Sequence, residues 1–175
     1  MEKSLAEKAS KVKLLLLDVD GVLTDGRIVY DSQGRDMKFF DVHDGLGVYL
    51  LKRSGISTIL ITAKGSKAIR PRAKDMQVDA VYEGILRKGD VLEKILKKYK
   101  VDATDVCFMA DDLVDLSLMK KVGFPVAVFN AVPEIKQTAY YITLRHGGRG
   151  AVREVAELIL KSQGKWSDAI KPYDV

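Results

Sequence analysis

Two rhythms of apolar and polar positions alternate along the chain, and the places where one gives way to the other mark its elements. The run Leu14-Leu15-Leu16-Leu17 is continuously apolar. A strand covered on both faces of a parallel sheet has that pattern, and four residues are far too few to cross a membrane. The run breaks at Asp18-Val19-Asp20-Gly21. Ile56 to Ile61, Ala80 to Tyr82, Asp105 to Met109 and Pro125 to Phe129 read as further strands, with Tyr140-Tyr141-Ile142 as a last edge strand. Between them the spacing turns helical: Leu46, Leu50 and Leu51 up to Gly55, a segment through Ile69, then Val91, Leu92, Ile95, Leu96 and Tyr99. A short helix opens at Pro133, and Val152, Val155, Ala156, Ile159 and Leu160 mark a longer one. Strands alternating with helices predict a parallel, doubly wound α/β sheet.

Three stretches depart from this alternation. Residues before Lys13 read as a solvated lead-in. Arg27-Ile28-Val29-Tyr30 and Met37-Lys38-Phe39-Phe40 flank the turn-rich Asp31-Ser32-Gln33-Gly34, which predicts a β-hairpin too apolar to stand alone. It either folds back on the body or packs on another subunit. Gly164 to Val175 shows no helical period, and its Trp166, Pro172 and Tyr173 suit a segment that docks.

With 47% hydrophobic and 30% charged residues, the chain has the composition of a folded domain rather than a disordered one. Its 175 residues suffice for a single domain with a sizeable core. The net charge of +5 is spread out, with no basic block that predicts a nucleic-acid partner; an anionic small molecule accounts for it as well. A lone cysteine, Cys107, makes no intrachain disulfide and reads as a small buried hydrophobe, which fits the cytoplasm. No stretch has signal-peptide or membrane-spanning length.

The candidate chemistry sits where strands end. Asp18 and Asp20 follow the leucine run, Thr62-Ala63-Lys64 follows the second strand, Lys88 opens a helix, and Asp111, Asp112 and Asp115 follow the fourth strand. In open α/β sheets ligands bind at the carboxyl ends of strands. Asp-x-Asp-Gly taken alone serves a turn equally well, and Thr62 alone serves equally as a helix cap. Three carboxylates at one junction, however, repel one another unless a cation relieves them. Asp44 is expected to cap the helix after it, and Gly147-Gly148-Arg149-Gly150 to form a flexible turn.

Asp18-Val19-Asp20-Gly21-Val22-Leu23-Thr24, Thr62, Lys88 and Asp111-Asp112 with Asp115 resemble, in order, the four motifs of the haloacid dehalogenase superfamily. Within it, nearly the whole chain resembles phosphatases of an eight-carbon 3-deoxy sugar-acid phosphate. The hairpin, Asp41 to Gly45, and Gly147-Gly148-Arg149-Gly150-Ala151-Val152-Arg153-Glu154 carry that closer likeness. The resemblance implies a Rossmann-like doubly wound sheet in one domain over residues 1–175, the hairpin (about 27–40) replacing a large cap, and a C-terminal tail at about 164–175. It implies Mg²⁺-dependent phosphomonoester hydrolysis in lipopolysaccharide precursor biosynthesis through an aspartyl-phosphate. Asp18 would be the nucleophile, Asp20 the general acid and then base, and Thr62 and Lys88 would hold the phosphoryl oxygens. Asp18, the backbone carbonyl of Asp20 and Asp111 would bind Mg²⁺, with Asp112 and Asp115 orienting its surroundings. Asp20, Asp41, Val42, His43, Asp44, Gly45, Lys64, Arg72 and Lys88 would meet the substrate.

A homotetramer is also implied, with a neighbour covering each site. Ala63-Lys64 stands where these phosphatases carry Gly-Arg, and His43 and Tyr49 stand where they carry arginines. A nine-carbon sialic-type substrate, broad specificity, and a non-catalytic module of the same fold stay open beside the eight-carbon reading.

Overall fold

The computed structural model of the chain describes residues 3–173. In order its elements are α1 (Lys3–Ser10), β1 (Leu14–Leu17), β2 (Val29–Tyr30), β3 (Asp36–Met37), α2 (Val42–Arg53), β4 (Ser57–Ile61), α3 (Ile69–Asp75) and β5 (Ala80–Tyr82). There follow α4 (Leu92–Tyr99), β6 (Val106–Ala110), α5 (Leu116–Met119), β7 (Phe124–Ala127), α6 (Pro133–Thr138), β8 (Tyr141–Ile142), α7 (Ala151–Ser162) and α8 (Trp166–Ile170). Short 3₁₀ turns at Lys88–Asp90 and Leu113–Asp115 carry site residues.

Six strands form one parallel sheet in the order β5-β4-β1-β6-β7-β8, while β2 and β3 pair separately and antiparallel. The four leucines of β1 are all buried, as the innermost strand of such a sheet requires. The chain runs outward from β1 through β4 to β5, then returns to the other side of β1 and runs outward again through β6. That reversal is a topological switch point, where a crevice opens beyond the strand ends. The register aims residues at it: Leu17 lies level with Leu60 on one side and Met109 on the other. Asp18, Thr62 and Asp111 therefore leave the sheet at nearly one height.

On the helical layer α7 packs against both α1 and α2. Gly47 lets α2 and α7 approach closely, since a Cβ there would stand 3.0 Å from the Arg153 Cα.

Several expectations are corrected. The lead-in before Lys13 contains α1, whose Ala9, with Val12 just beyond it, lies in the core; two alanines and one leucine make too faint a stripe to read. The tail contains α8, with Trp166 held between the cations of Arg153 and Lys161. Five residues are too few to display a period. The segment expected to turn helical after Thr62 does so only at Ile69. The hairpin is present but its ladder is two residues per strand. Among the described residues no helix is long and apolar enough to cross a membrane.

Candidate active site

Four charged side chains converge beyond the switch point. Lys88 has no accessible surface, and its ammonium lies 2.5 Å from Asp18 Oδ1 and 2.5 Å from Asp115 Oδ1. It reaches them from the 3₁₀ turn after β5, which is seated on the Leu113–Met119 segment. The Gly89 N–H donates to Ser117 Oγ at 3.1 Å, and a Cβ on Gly89 would stand 2.8 Å from the Ser117 carbonyl oxygen. Burial works to lower the Lys88 pKa, but the two carboxylates outweigh it and hold the amine charged. Burial likewise pushes Asp18 up, against the pull of Lys88.

Asp111 stands beside this pair. Burial, followed by the charges of Asp18 and Asp115, pushes its pKa up to about 8, and Asp115 is raised to about 6 by burial and Asp18. Three carboxylates around one ammonium leave negative charge over, and one acid keeps its proton in response. Asp18, Asp111 and Asp115 each offer an oxygen within 4.8 Å of the others, and Asp111 Oδ1 is buried without a hydrogen-bond partner. An orphaned hard oxygen in an over-negative cluster fits a small divalent cation. Gly21 makes the arrangement possible: at φ +92° it suits glycine, and any Cβ there would collide with the Asp111 carboxylate.

Asp20 points elsewhere. Its Oδ1 accepts a hydrogen bond from Lys38 Nζ, on the chain leaving β3. Lys38 was not singled out from the sequence, although its side chain is only 8% exposed. Thr62 is buried and caps no helix; its hydroxyl accepts from the Lys64 N–H at 3.2 Å and donates to the Lys64 carbonyl at 3.0 Å. Asp112 is not brought into the cluster. Its carboxylate is exposed and accepts from the Leu113 N–H at 2.7 Å, capping the Leu113–Asp115 turn.

The glycine segment before α7 is a clasp rather than a flexible turn. The Gly148 N–H donates to the Val22 carbonyl at 2.8 Å, and a Cβ on Gly147 would overlap the Gly21 carbonyl oxygen. Two bare backbones thus press together, fixing the loop that carries Asp18 and Asp20.

Residues 41–45 divide between roles. Asp41, not Asp44, caps α2, accepting from the His43 N–H at 2.7 Å. Asp44 has no accessible surface; its carboxylate accepts from the N–H groups of Gly150 (3.3 Å) and Arg153 (2.8 Å) and so caps α7 instead. Direct substrate contact by Asp44 is therefore excluded in this arrangement, because helix α7 occupies its acceptor positions. Gly45 leaves room for the Arg72 guanidinium, which donates to the Asp41 carbonyl at 2.7 Å over the Phe40 ring. Asp41, Val42 and His43 line a cavity of about 540 Å³ with Arg27, Phe39 and Arg149. Lys64 donates to the Tyr30 hydroxyl at 3.2 Å and lines a smaller space of about 100 Å³ with Asp20 and Lys38.

The chain is similar to proteins of a known family. Residues 61–155 match the family of haloacid dehalogenase-like hydrolases. The 3-deoxy-D-manno-octulosonate 8-phosphate phosphatase KdsC of Escherichia coli K12 is 40% identical over 162 residues, spanning 93% of this chain and 86% of that protein. The solved structure of the same phosphatase from Moraxella catarrhalis, in complex with magnesium ion, phosphate ion and KDO, superposes with a TM-score of 0.95 at 38% identity, covering 99% of each chain. The cobalt-bound phosphatase from Haemophilus influenzae gives 0.88 at 35% identity, covering 91% of this chain and 94% of that one. A family match over more than half the chain, with relatives at this identity over nearly all of it, assigns the chain: it belongs to the haloacid dehalogenase-like hydrolase family.

Proposed function

We propose that this hydrolase is a Mg²⁺-dependent phosphomonoesterase that cleaves 3-deoxy-D-manno-octulosonate 8-phosphate to the free sugar acid and inorganic phosphate, a step towards lipopolysaccharide precursors. One observation carries the reading: a fully buried lysine held between Asp18 and Asp115, beside the orphaned Asp111 oxygen. Burying four ionisable groups together costs more than a packed apolar core would, so stability alone gives no reason for them. The relatives named above supply the substrate class.

In the first half-reaction an Asp18 carboxylate oxygen attacks phosphorus and the ester P–O bond breaks, leaving an aspartyl-phosphate. Asp20 gives its proton to the departing alkoxide. It then takes a proton from the water that attacks the phosphoryl-enzyme, which releases phosphate and restores Asp18. Lys88 and the Thr62 hydroxyl hold the phosphoryl oxygens as charge redistributes. Asp18, Asp111 and the Asp20 carbonyl would hold Mg²⁺, which would supply positive charge to offset the carboxylates beside a phosphate dianion. Asp41, Val42 and His43 border the space open to the sugar acid, while Lys64 lines the smaller space beside Asp20. Tyr30 engages the Lys64 amine, which supports a second reading of broader or nine-carbon specificity.

We further propose a homotetramer joined through the hairpin, whose outward residues Ile28 and Phe39 are 67% and 61% exposed, apolar surface that a neighbour would cover. A single unit over residues 1–175 and a cytoplasmic location complete the reading, and the buried Cys107 thiol fits a reducing compartment. The test is phosphate release from the eight-carbon substrate, a nine-carbon sialic-type phosphate and simple sugar phosphates, with Mg²⁺ and with chelator. The expected result is the highest kcat/KM on the eight-carbon substrate, loss with chelator, and no release by a folded Asp18→Asn protein. Equal kcat/KM on all esters would leave only the broad phosphatase. No release from any of them would leave a non-catalytic module.

A further inference from the structure

The hairpin is built inside out. Along β3 and the chain leaving it, Met37 and Phe39 face outward and are exposed, while the alternate positions Asp36 and Lys38 turn inward. A hairpin that merely folded onto its own domain would bury the apolar set and expose the lysine. Here the inward lysine, 8% exposed, ends on Asp20 Oδ1, and the carboxylate is itself 37% exposed. The space beside them, about 100 Å³, is lined by Gly26, Val29 and Asp36 on the hairpin side and by Lys64. Its volume is too small for an eight-carbon sugar acid. Lys38 therefore meets the group assigned proton transfer from the hairpin side.

We infer that Lys38 is a positioning residue for that proton transfer: it anchors Asp20 Oδ1 to the hairpin so that Oδ2 is the oxygen presented to the leaving group. The inference rests on the phosphomonoesterase reading. Oδ1 accepts from an ammonium whether Oδ2 carries a proton or not, being the carbonyl oxygen in one state and half of the carboxylate in the other. The anchor thus survives both half-reactions. In the first, the Oδ2 proton passes to the alkoxide as the P–O bond breaks; in the second, Oδ2 takes the proton from the attacking water. Asp20 would otherwise rotate freely, and a misplaced acid loses most of its worth. The two-residue ladder of the hairpin is too weak to hold alone, so the same contact ties hairpin docking to chemistry.

Leaving-group dependence tests this. An alkyl phosphate needs its leaving oxygen protonated, whereas p-nitrophenyl phosphate expels a stable phenolate and depends far less on an acid. General acid catalysis is typically worth about 10²–10⁴-fold. Lys38→Met, which keeps the length of the side chain, is accordingly expected to lower the ratio of kcat/KM on the alkyl ester to kcat/KM on the aryl ester by about 10-fold or more, since kcat/KM reports the step in which the leaving group departs. Lys38→Arg should restore much of that ratio. In an Asp20→Asn background, Lys38→Met should add little further loss. A Lys38→Met protein whose kcat/KM falls in equal proportion on both esters, or on neither, overturns the inference and leaves Lys38 as hairpin packing. If Lys38→Met does not fold, Lys38→Gln, which also removes the ammonium, is read by the same ratio, and an alkyl-to-aryl ratio unchanged from wild type overturns the inference. Failure of the wild-type protein on both esters refutes the phosphomonoesterase reading instead.

Discussion

Lys88 shows how far a single residue can depend on its partners. Replacing it with methionine leaves Asp18 and Asp115 facing each other in a buried site with Asp111 alongside, and breaking a buried pair in this way costs about 3–5 kcal/mol. The Lys88→Met protein should melt well below wild type. The deficit should shrink as pH is lowered, because protonated acids need no counter-ion; thermal melts at pH 5 and pH 8 check this, and a deficit that grows on acidification would contradict the pairing. The residue was legible in the sequence as a cation oddly placed at the opening of a helix, and as one of four motifs in order. Its complete burial was not, because that depends on acids from two other loops. Lys38 was hidden for the opposite reason: on a strand of alternating character the apolar residues are taken to face in, and here they face out.

Asp44 works at the scale of elements. It lies in the first turn of α2 yet serves as the cap of α7, so one carboxylate fixes two helices to each other and fixes the glycine clasp behind the Asp18 loop. Burial, with a smaller push from Asp41, raises its pKa from 3.8 to about 6 in spite of the N–H groups that favour its anion. The folded state therefore holds this proton more tightly than the unfolded chain does. The associated stability is complete below about pH 4 and is lost as pH rises through about 6, a span worth roughly 3 kcal/mol. Asp44→Asn keeps an acceptor oxygen and cannot ionise. Denaturant unfolding from pH 4 to pH 7 should show wild type losing stability relative to the variant, and parallel profiles would rule the titration out. A Ser, Thr, Asp or Asn ahead of an apolar helical stripe signals a cap, and Asp41 and Asp44 both stand ahead of the Leu46, Leu50 and Leu51 stripe. Spacing could not tell which of them turned away to another helix.

For the molecule as a whole, the sheet was the most legible part, since continuous apolar runs separated by helical periods leave few alternatives. The boundaries of its six strands shifted by at most two residues, and the elements missed, α1 and α8, are those whose burial depends on what they dock against. The proposed assembly rests on the reversed hairpin. Charged residues in place of Tyr30 and Phe39 should give a smaller species by light scattering and weaken substrate binding while Asp18 and Asp111 remain intact; a wild-type protein already monomeric and fully active would end the idea of a shared site.

The strand order has a consequence in time as well as in space. β1 is the first strand made, yet Leu14 pairs with Ser57 and Val106, neighbours 43 and 92 positions later in the chain. Loop closures of that length come slowly in folding. A growing chain therefore carries its most apolar segment without any partner strand until β4 is made, and open on one side until β6 follows. It gains Asp111 and Asp115 only with the second of those neighbours, so until then no partial product of translation holds the full set of acids around Lys88.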